Sequence, residues 1–263
     1  MPDQAAPIVD CHAHIFVNRM PLAGAGAVHP DYEYAAEDFV ADLDRHGVTF
    51  GVIAAATLYG DYNDYTLQAL RNHKRLRGTI IAEPSIELSV LKAMADAGVV
   101  GLRFGWRKLK ALPDLRGYEH RRLFYRLADL GLHAQVLARA DQMAEILPAL
   151  AETDVRVVID HFGALDTNNS ADLDSVLHAV ENGRTWVKLS AAYRVDPSIV
   201  GACVSRLLAA AGPERLLWGS DAPFVNFEKG VTYADTLRTF ETLVPDPHAR
   251  RAISDAALKL YFC

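Results

Sequence analysis

Four residues combine a reactive side chain with a telling position. The segment Asp10-Cys11-His12-Ala13-His14 ends a short apolar run. On an extended chain side chains alternate with period two, so His12 and His14 face the same way, about 6–7 Å apart. Two imidazoles so placed can share a metal or polarise one carbonyl. Val157-Val158-Ile159 runs into Asp160-His161, and Leu217-Trp218-Gly219 into Ser220-Asp221. A carboxylate directly after a buried run can ligate a metal or act as general base. Each residue also has a structural reading, a core or surface imidazole or an N-cap aspartate. The chemical reading rests on all four meeting.

Further candidates flank these. Arg103, in Gly101-Leu102-Arg103-Phe104, sits in an apolar run, where a cation is costly unless paired. A substrate carboxylate or a salt bridge to a neighbouring loop would supply the partner. Arg107 and Lys108 follow it, and Arg194 offers a second anion clamp. Tyr59 lies where it could contact a substrate or pack. Gln135, inside an apolar run, needs partners and either lines the mouth or supports a histidine.

These residues need elements that bring them together. Eight short Val-, Ile- and Leu-rich runs read as strands buried on both faces: Pro7–Cys11, Val48–Ala56, Arg77–Glu83, Val99–Phe104, Leu132–Leu137, Val155–Asp160, Thr185–Leu189 and Arg215–Gly219. Helical stretches alternate with them: Ala35–His46, Tyr62–Lys74, Ile86–Ala97, Tyr118–Leu130, Ala140–Glu152, Leu173–Asn182, Pro197–Ala211 and Tyr233–Leu243, then a last helix over Asp246–Leu260. Gly98, Gly131 and Gly183 suit left-handed C-caps, and Asp141 and Asp172 suit N-caps or first turns. Eight βα units in 263 residues predict an α/β fold, a single-domain (β/α)8 TIM barrel over residues 1–263. An open doubly wound sheet uses the same alternation, but no Gly-rich dinucleotide fingerprint follows the first strand. In a barrel, function sits where the strands end.

Composition bounds the partners. Hydrophobic residues make up 51% of the chain, which excludes intrinsic disorder. The net charge of −6 disfavours nucleic acid, while a locally basic pocket still admits an anionic substrate. Cys11, Cys203 and Cys263 are scattered and odd in number, which fits a reduced cytoplasmic protein. No secretory signal or membrane-length apolar run is visible, so no membrane partner is expected. No GxSxG elbow occurs, and Cys11 reads as a small core residue that alternates away from the face of His12. Loop Val17–Tyr34 is expected to cover the mouth. Barrels of this kind commonly form homodimers, although no interface is legible.

In order, IVDCHAHIF, VVIDHFG and LLWGSDAPF resemble the amidohydrolase superfamily. Within it the chain is similar, along its whole length, to the amidohydrolase-related group that contains 2-pyrone-4,6-dicarboxylate lactonase and related lactone hydrolases. GLRF and VKLS followed by Arg194 add to the likeness. The resemblance implies hydrolysis of a lactone bearing a carboxylate. In it Asp221 activates water, His12, His14 and His161 or a metal polarise the carbonyl, and Arg103, Arg107, Arg194, Gln135 and Tyr59 contact the substrate. Members with metal hold it with the first-strand histidines, a fifth-strand His and the last-strand Asp. Here His133 comes early in its strand and Gln135 takes the next inward place. The cofactor expectation is therefore none, or one divalent metal such as zinc on His12, His14 and Asp221. Two other readings stay open: a metal-dependent non-oxidative decarboxylase, and a ligand-binding barrel without catalysis.

Overall fold

The computed structural model describes residues 6–24, 29–164 and 173–263. Eight strands hydrogen-bond in chain order, every neighbouring pair parallel. They are β1 (Val9–Ala13), β2 (Phe50–Ile53), β3 (Leu76–Ile80), β4 (Val99–Gly105), β5 (His133–Leu137), β6 (Arg156–Ile159), β7 (Thr185–Leu189) and β8 (Leu216–Trp218). The helices between them are α1 (Ala36–Arg45), α2 (Asp64–Asn72), α3 (Leu88–Asp96), α4 (Tyr118–Asp129), α5 (Ala140–Ala151), α6 (Asp174–Glu181), α7 (Pro197–Ala211) and α8 (Tyr233–Leu243), with α9 (Pro247–Tyr261) last. The sheet curls until β1 meets the chain beyond β8. The His14 N–H donates to Ala222 O at 2.8 Å, and the Asp221 N–H to His12 O at 2.8 Å. This is the expected TIM barrel.

Gly98, Gly131 and Gly183 have positive φ just past α3, α4 and α6, as their C-cap reading requires. Asp141 lies in the first turn of α5, and Asp172 falls outside the described residues. β1 runs two residues further than expected and carries His12 within it, while β2 and β3 each end three residues sooner than expected. Polar types at the end of β1 hide a strand that is buried throughout.

Two layers fill the barrel. Val9, Cys11, Val52, Val158 and Leu217 pack with Ala257 and Tyr261 of α9 as an apolar floor. Above it Asp160 shares the face of Val158, two residues earlier on the same strand line. On β1 the register with β2 slips by one residue between Asp10 and Ala13. An extra residue of this kind breaks the period-two alternation. Cys11 joins the floor while His12 reaches the polar layer, so the expectation that they face opposite ways does not hold. Burial pushes the Cys11 thiol up, which keeps it protonated.

Candidate active site

The joint between β1 and β8 is built around Asp10. Its Oδ1 accepts the backbone N–H groups of His12 (3.1 Å) and Ser220 (2.9 Å), and its Oδ2 accepts the Tyr233 hydroxyl (2.9 Å). Burial raises its pKa to about 6 against the lowering effect of those bonds. The two chains approach so closely that a Cβ on Gly219 would lie 2.6 Å from His12 Cβ.

This joint aims three donors at one point. His12 Nε2 and His14 Nε2 are 3.3 Å apart, and Asp221 Oδ1 lies 3.5 Å from the first and 3.7 Å from the second. The imidazole nitrogens converge far more tightly than strand spacing alone suggests. His14 Nδ1 is 2.7 Å from Ala54 O. A carbonyl only accepts, so that nitrogen carries the proton and Nε2 is a bare lone pair. Burial, with the nearby Arg103 adding to it, lowers the His14 pKa to about 4. Burial would raise the Asp221 carboxyl, but His161, His12, His14 and Arg194 around it hold it well below the usual range.

A second polar cluster lies beneath, centred on Asp160. Its carboxylate accepts from Arg103 Nε (2.9 Å) and Gln135 Nε2 (2.9 and 3.1 Å), with Lys188 Nζ at 3.5 Å and His12 Nδ1 at 3.3 Å. Arg103 Nη1 also donates to Ala55 O at 2.7 Å. Burial would raise the Asp160 carboxyl, yet Arg103, Lys188 and His12 drive it well below the usual range. Burial, then Lys188, keeps His12 neutral.

The third wall comes from the ends of β6 and β7. His161 (φ 50°), Phe162 (φ 59°) and Ala191 (φ 58°) take left-handed backbone, as does Asp221 (φ 65°). Non-glycine residues hold such conformations only when their surroundings enforce them, and they cluster at functional sites. His161 Nδ1 is 2.9 Å from Ser190 Oγ, and its Nε2 lies 4.0 Å from Asp221 Oδ1. Tyr193 Oη donates to Asp221 Oδ2 at 2.6 Å, and Arg194 Nε donates to the same oxygen at 3.2 Å. A cavity of about 520 Å³ behind this wall is lined by Ser190, Tyr193, Trp218 and Phe240, among others, but by none of the histidines or Asp221.

His12, His14, His161 and Asp221 thus meet as expected. Arg103 has Asp160 as its partner and is only 4% exposed, which is the salt-bridge alternative, although to a strand end rather than a loop. Gln135 supports Asp160. Arg194 engages Asp221 and stays one-third exposed. Arg107 is exposed at the end of β4. Tyr59 is buried against Phe16, 3.4 Å from His29. Sequence reasoning passed over Asp160, Lys188, Tyr193 and Asp10 as participants. Lys188 carried the signal used for Arg103, a cation between apolar strand residues.

The donor set fits a divalent metal. Four ligands on a tetrahedral ion with bonds of about 2.0–2.1 Å stand about 3.3–3.4 Å apart. The 3.3–3.7 Å triangle of His12 Nε2, His14 Nε2 and Asp221 Oδ1 approaches that. The fixed His14 tautomer presents the lone pair a metal needs. His12, Asp160 and His161 form a second close group, but Arg103 and Lys188 already neutralise Asp160.

The chain is similar to known proteins along most of its length. The chain is 25% identical to a 4-sulfomuconolactone hydrolase of Rhizobium radiobacter, over 93% of this chain and 86% of that one. It is 26% identical to a 2-pyrone-4,6-dicarboxylate hydrolase of Comamonas testosteroni, over 85% and 79%. The crystal structure of a probable 2-pyrone-4,6-dicarboxylic acid hydrolase from Acinetobacter baumannii, with citric acid bound, superposes with a TM-score of 0.92 at 26% identity, over 97% of this chain and 99% of that one. The sequence model of the amidohydrolase family (Amidohydro_2) matches residues 9–263, and on that match the chain belongs to the amidohydrolase family.

Proposed function

We propose that this chain opens a lactone ring that bears a carboxylate. The observation that carries the reading is Asp221 Oδ1, an ionised carboxylate oxygen within 4.0 Å of the Nε2 atoms of His12, His14 and His161. The lactone hydrolases among the relatives, and the citric acid bound in the Acinetobacter structure, support the substrate class.

Asp221 Oδ1 takes a proton from water as the water oxygen bonds to the ring carbonyl carbon. His12 and His161 stabilise the oxyanion that develops. His14 has its proton on Nδ1, so it acts as acceptor or ligand rather than as a donor to that oxygen. The ring C–O bond then breaks, and Asp221 returns the proton to the leaving oxygen, giving an open-chain hydroxy acid, or from an enol lactone the enol acid that tautomerises to the keto acid. His12, His14 and Asp221 would hold a divalent ion, whose chemistry when bound is Lewis-acid polarisation of the carbonyl. Arg194 and Arg107, which both reach solvent, suit the substrate carboxylate. Arg103 and Gln135 act through Asp160, and Tyr59 packs against Phe16 in the turn after β2.

The test is hydrolysis of 2-pyrone-4,6-dicarboxylate and 4-sulfomuconolactone by the wild type and by Asp221→Asn. The wild type should open at least one, and the variant should lose about 10²–10⁴-fold in kcat while staying folded. Wild-type turnover of neither lactone, or full activity in folded Asp221→Asn, would refute the reading. A decarboxylase reading gains no support from β5, where Gln135 is engaged by Asp160 and His133 packs against Tyr261.

A further inference from the structure

Asp221 divides its two oxygens between separate tasks. Oδ1 faces the Nε2 atoms of His12, His14 and His161 at 3.5, 3.7 and 4.0 Å. Oδ2 faces away from them and accepts from Tyr193 Oη at 2.6 Å and Arg194 Nε at 3.2 Å. The two oxygens of a carboxylate are chemically equivalent, and its terminal torsion is broad and two-fold. Something outside the carboxylate must therefore decide which oxygen faces the imidazoles and at what tilt.

Arg194 alone is a weak candidate. It gives Oδ2 one N–H at 3.2 Å, and its side chain is one-third exposed. Its Nη2 is shared between Tyr193 Oη (3.2 Å) and Val225 O (3.1 Å). The tyrosine makes the shorter, charge-assisted bond. Its ring is fixed on three sides. Phe224 and Phe227 pack edge-on with centroids at 6.1 and 5.1 Å, and the Arg194 guanidinium lies 5.0 Å from its centroid. The left-handed turn at Ala191 brings it there. Burial and the charge of Asp221 push its phenol upward, so it remains a donor.

We propose that Tyr193 is a positioning residue that holds Oδ2 so that Oδ1 alone serves the reaction. This rests on the lactone-hydrolase reading of the same site. Tyr193 does not touch the reacting atoms. A bond to Oδ2 draws electron density from Asp221 and makes it a weaker base, so the hydroxyl contributes through orientation. The effect belongs in kcat, because geometry in the transition state is what is lost.

Tyr193→Phe removes one oxygen and keeps the ring contacts. We measure kcat, KM and Tm with 2-pyrone-4,6-dicarboxylate, or with 4-sulfomuconolactone where only that is turned over, and solve the variant's crystal structure. The expected result is a loss of about 10–100-fold in kcat, KM within about twofold of wild type, Tm nearly unchanged, and a rotated Asp221 carboxylate. Unchanged kcat with a lowered Tm would mark a purely structural role and overturn the proposal. A raised KM at constant kcat would do the same, placing the hydroxyl on the substrate. Should the wild type open neither lactone, the functional reading falls by itself, and the crystal structure alone decides the positioning claim. A carboxylate that keeps Oδ1 on the imidazoles without the hydroxyl then overturns it, and a rotated one supports it.

Discussion

Lys188 Nζ lies 3.5 Å from Asp160 Oδ1, and both atoms stand 3.3 Å from one nitrogen, His12 Nδ1. An ammonium donates only and a carboxylate accepts only, so they ask for opposite tautomers. With the proton on Nδ1 facing Asp160, His12 offers a bare Nε2 to a metal. With Lys188 donating to Nδ1, the proton moves to Nε2, where it can point at the bare Nε2 of His14. The lysine thus opposes metal binding both by charge and by tautomer. We expect calorimetric titration to show one zinc per metal-stripped wild-type chain. Lys188→Met should bind zinc about tenfold or more tightly, and equal affinity would show that the lysine does not compete.

The Asp160–Arg103 pair makes a second case. Both side chains are almost fully buried, with Nε 2.9 Å from Oδ2. Removing one partner of a buried pair leaves an uncompensated charge and typically costs about 3–5 kcal/mol. Arg103→Met is therefore expected to destabilise the fold by that order, although Lys188 still faces Asp160 and moderates the loss. The double variant Arg103→Met/Asp160→Asn should be more stable than the sum of the two single losses predicts. Urea unfolding of all four proteins gives the cycle. Additive losses would mean that the two groups do not support each other.

Much of this arrangement was legible in the sequence. Apolar runs such as Val157-Val158-Ile159 read as buried strands, and eight of them alternating with helices leave few folds. The reactive residues showed themselves as polar types at strand ends, as His12, His161 and Asp221 did. What stayed hidden depends on three-dimensional neighbours. The partner of Arg103 is 57 residues away, on β6's continuation, and no local pattern joins them. Tyr193 looks like any surface aromatic until the turn at Ala191 brings its hydroxyl to Asp221. The extra residue in β1 could not be read because its evidence is a register with β2.

Gly219 gives a third prediction. A Cβ there would sit 2.6 Å from His12 Cβ and 2.9 Å from His12 N, closer than any real contact. The obstacle is backbone and a Cβ, neither of which can swing away. Gly219→Ala should push β1 from the end of β8 and displace His12 from Asp221. A lowered Tm and at least a tenfold loss of kcat are expected from thermal unfolding and steady-state assay. Wild-type values of both would mean that the barrel joint yields freely.

His133 supplies a pH prediction independent of the reaction. It is 1% exposed at the start of β5, with its ring edge-on to Tyr261 and its Nε2 without a hydrogen-bond partner among the described residues. Burial, then Lys188 and Arg156, lowers its pKa to about 3, against about 6.5 in an unfolded chain. Between those values the unfolded chain binds a proton that the folded chain refuses. The contribution is thus complete above pH 6.5 and is lost as pH falls toward 3, by about 1.4 kcal/mol per unit. His14, with a folded pKa of about 4, acts in the same direction, while Asp10, raised to about 6, acts in the opposite one. Both remain in a His133→Gln variant, so the comparison isolates His133. Between pH 7.5 and 5.0 the wild type should lose about 2 kcal/mol more than His133→Gln in urea unfolding. Equal losses would mean that His133 is protonated in the folded chain at pH 5.0, and that the bottom of the barrel admits a charge there.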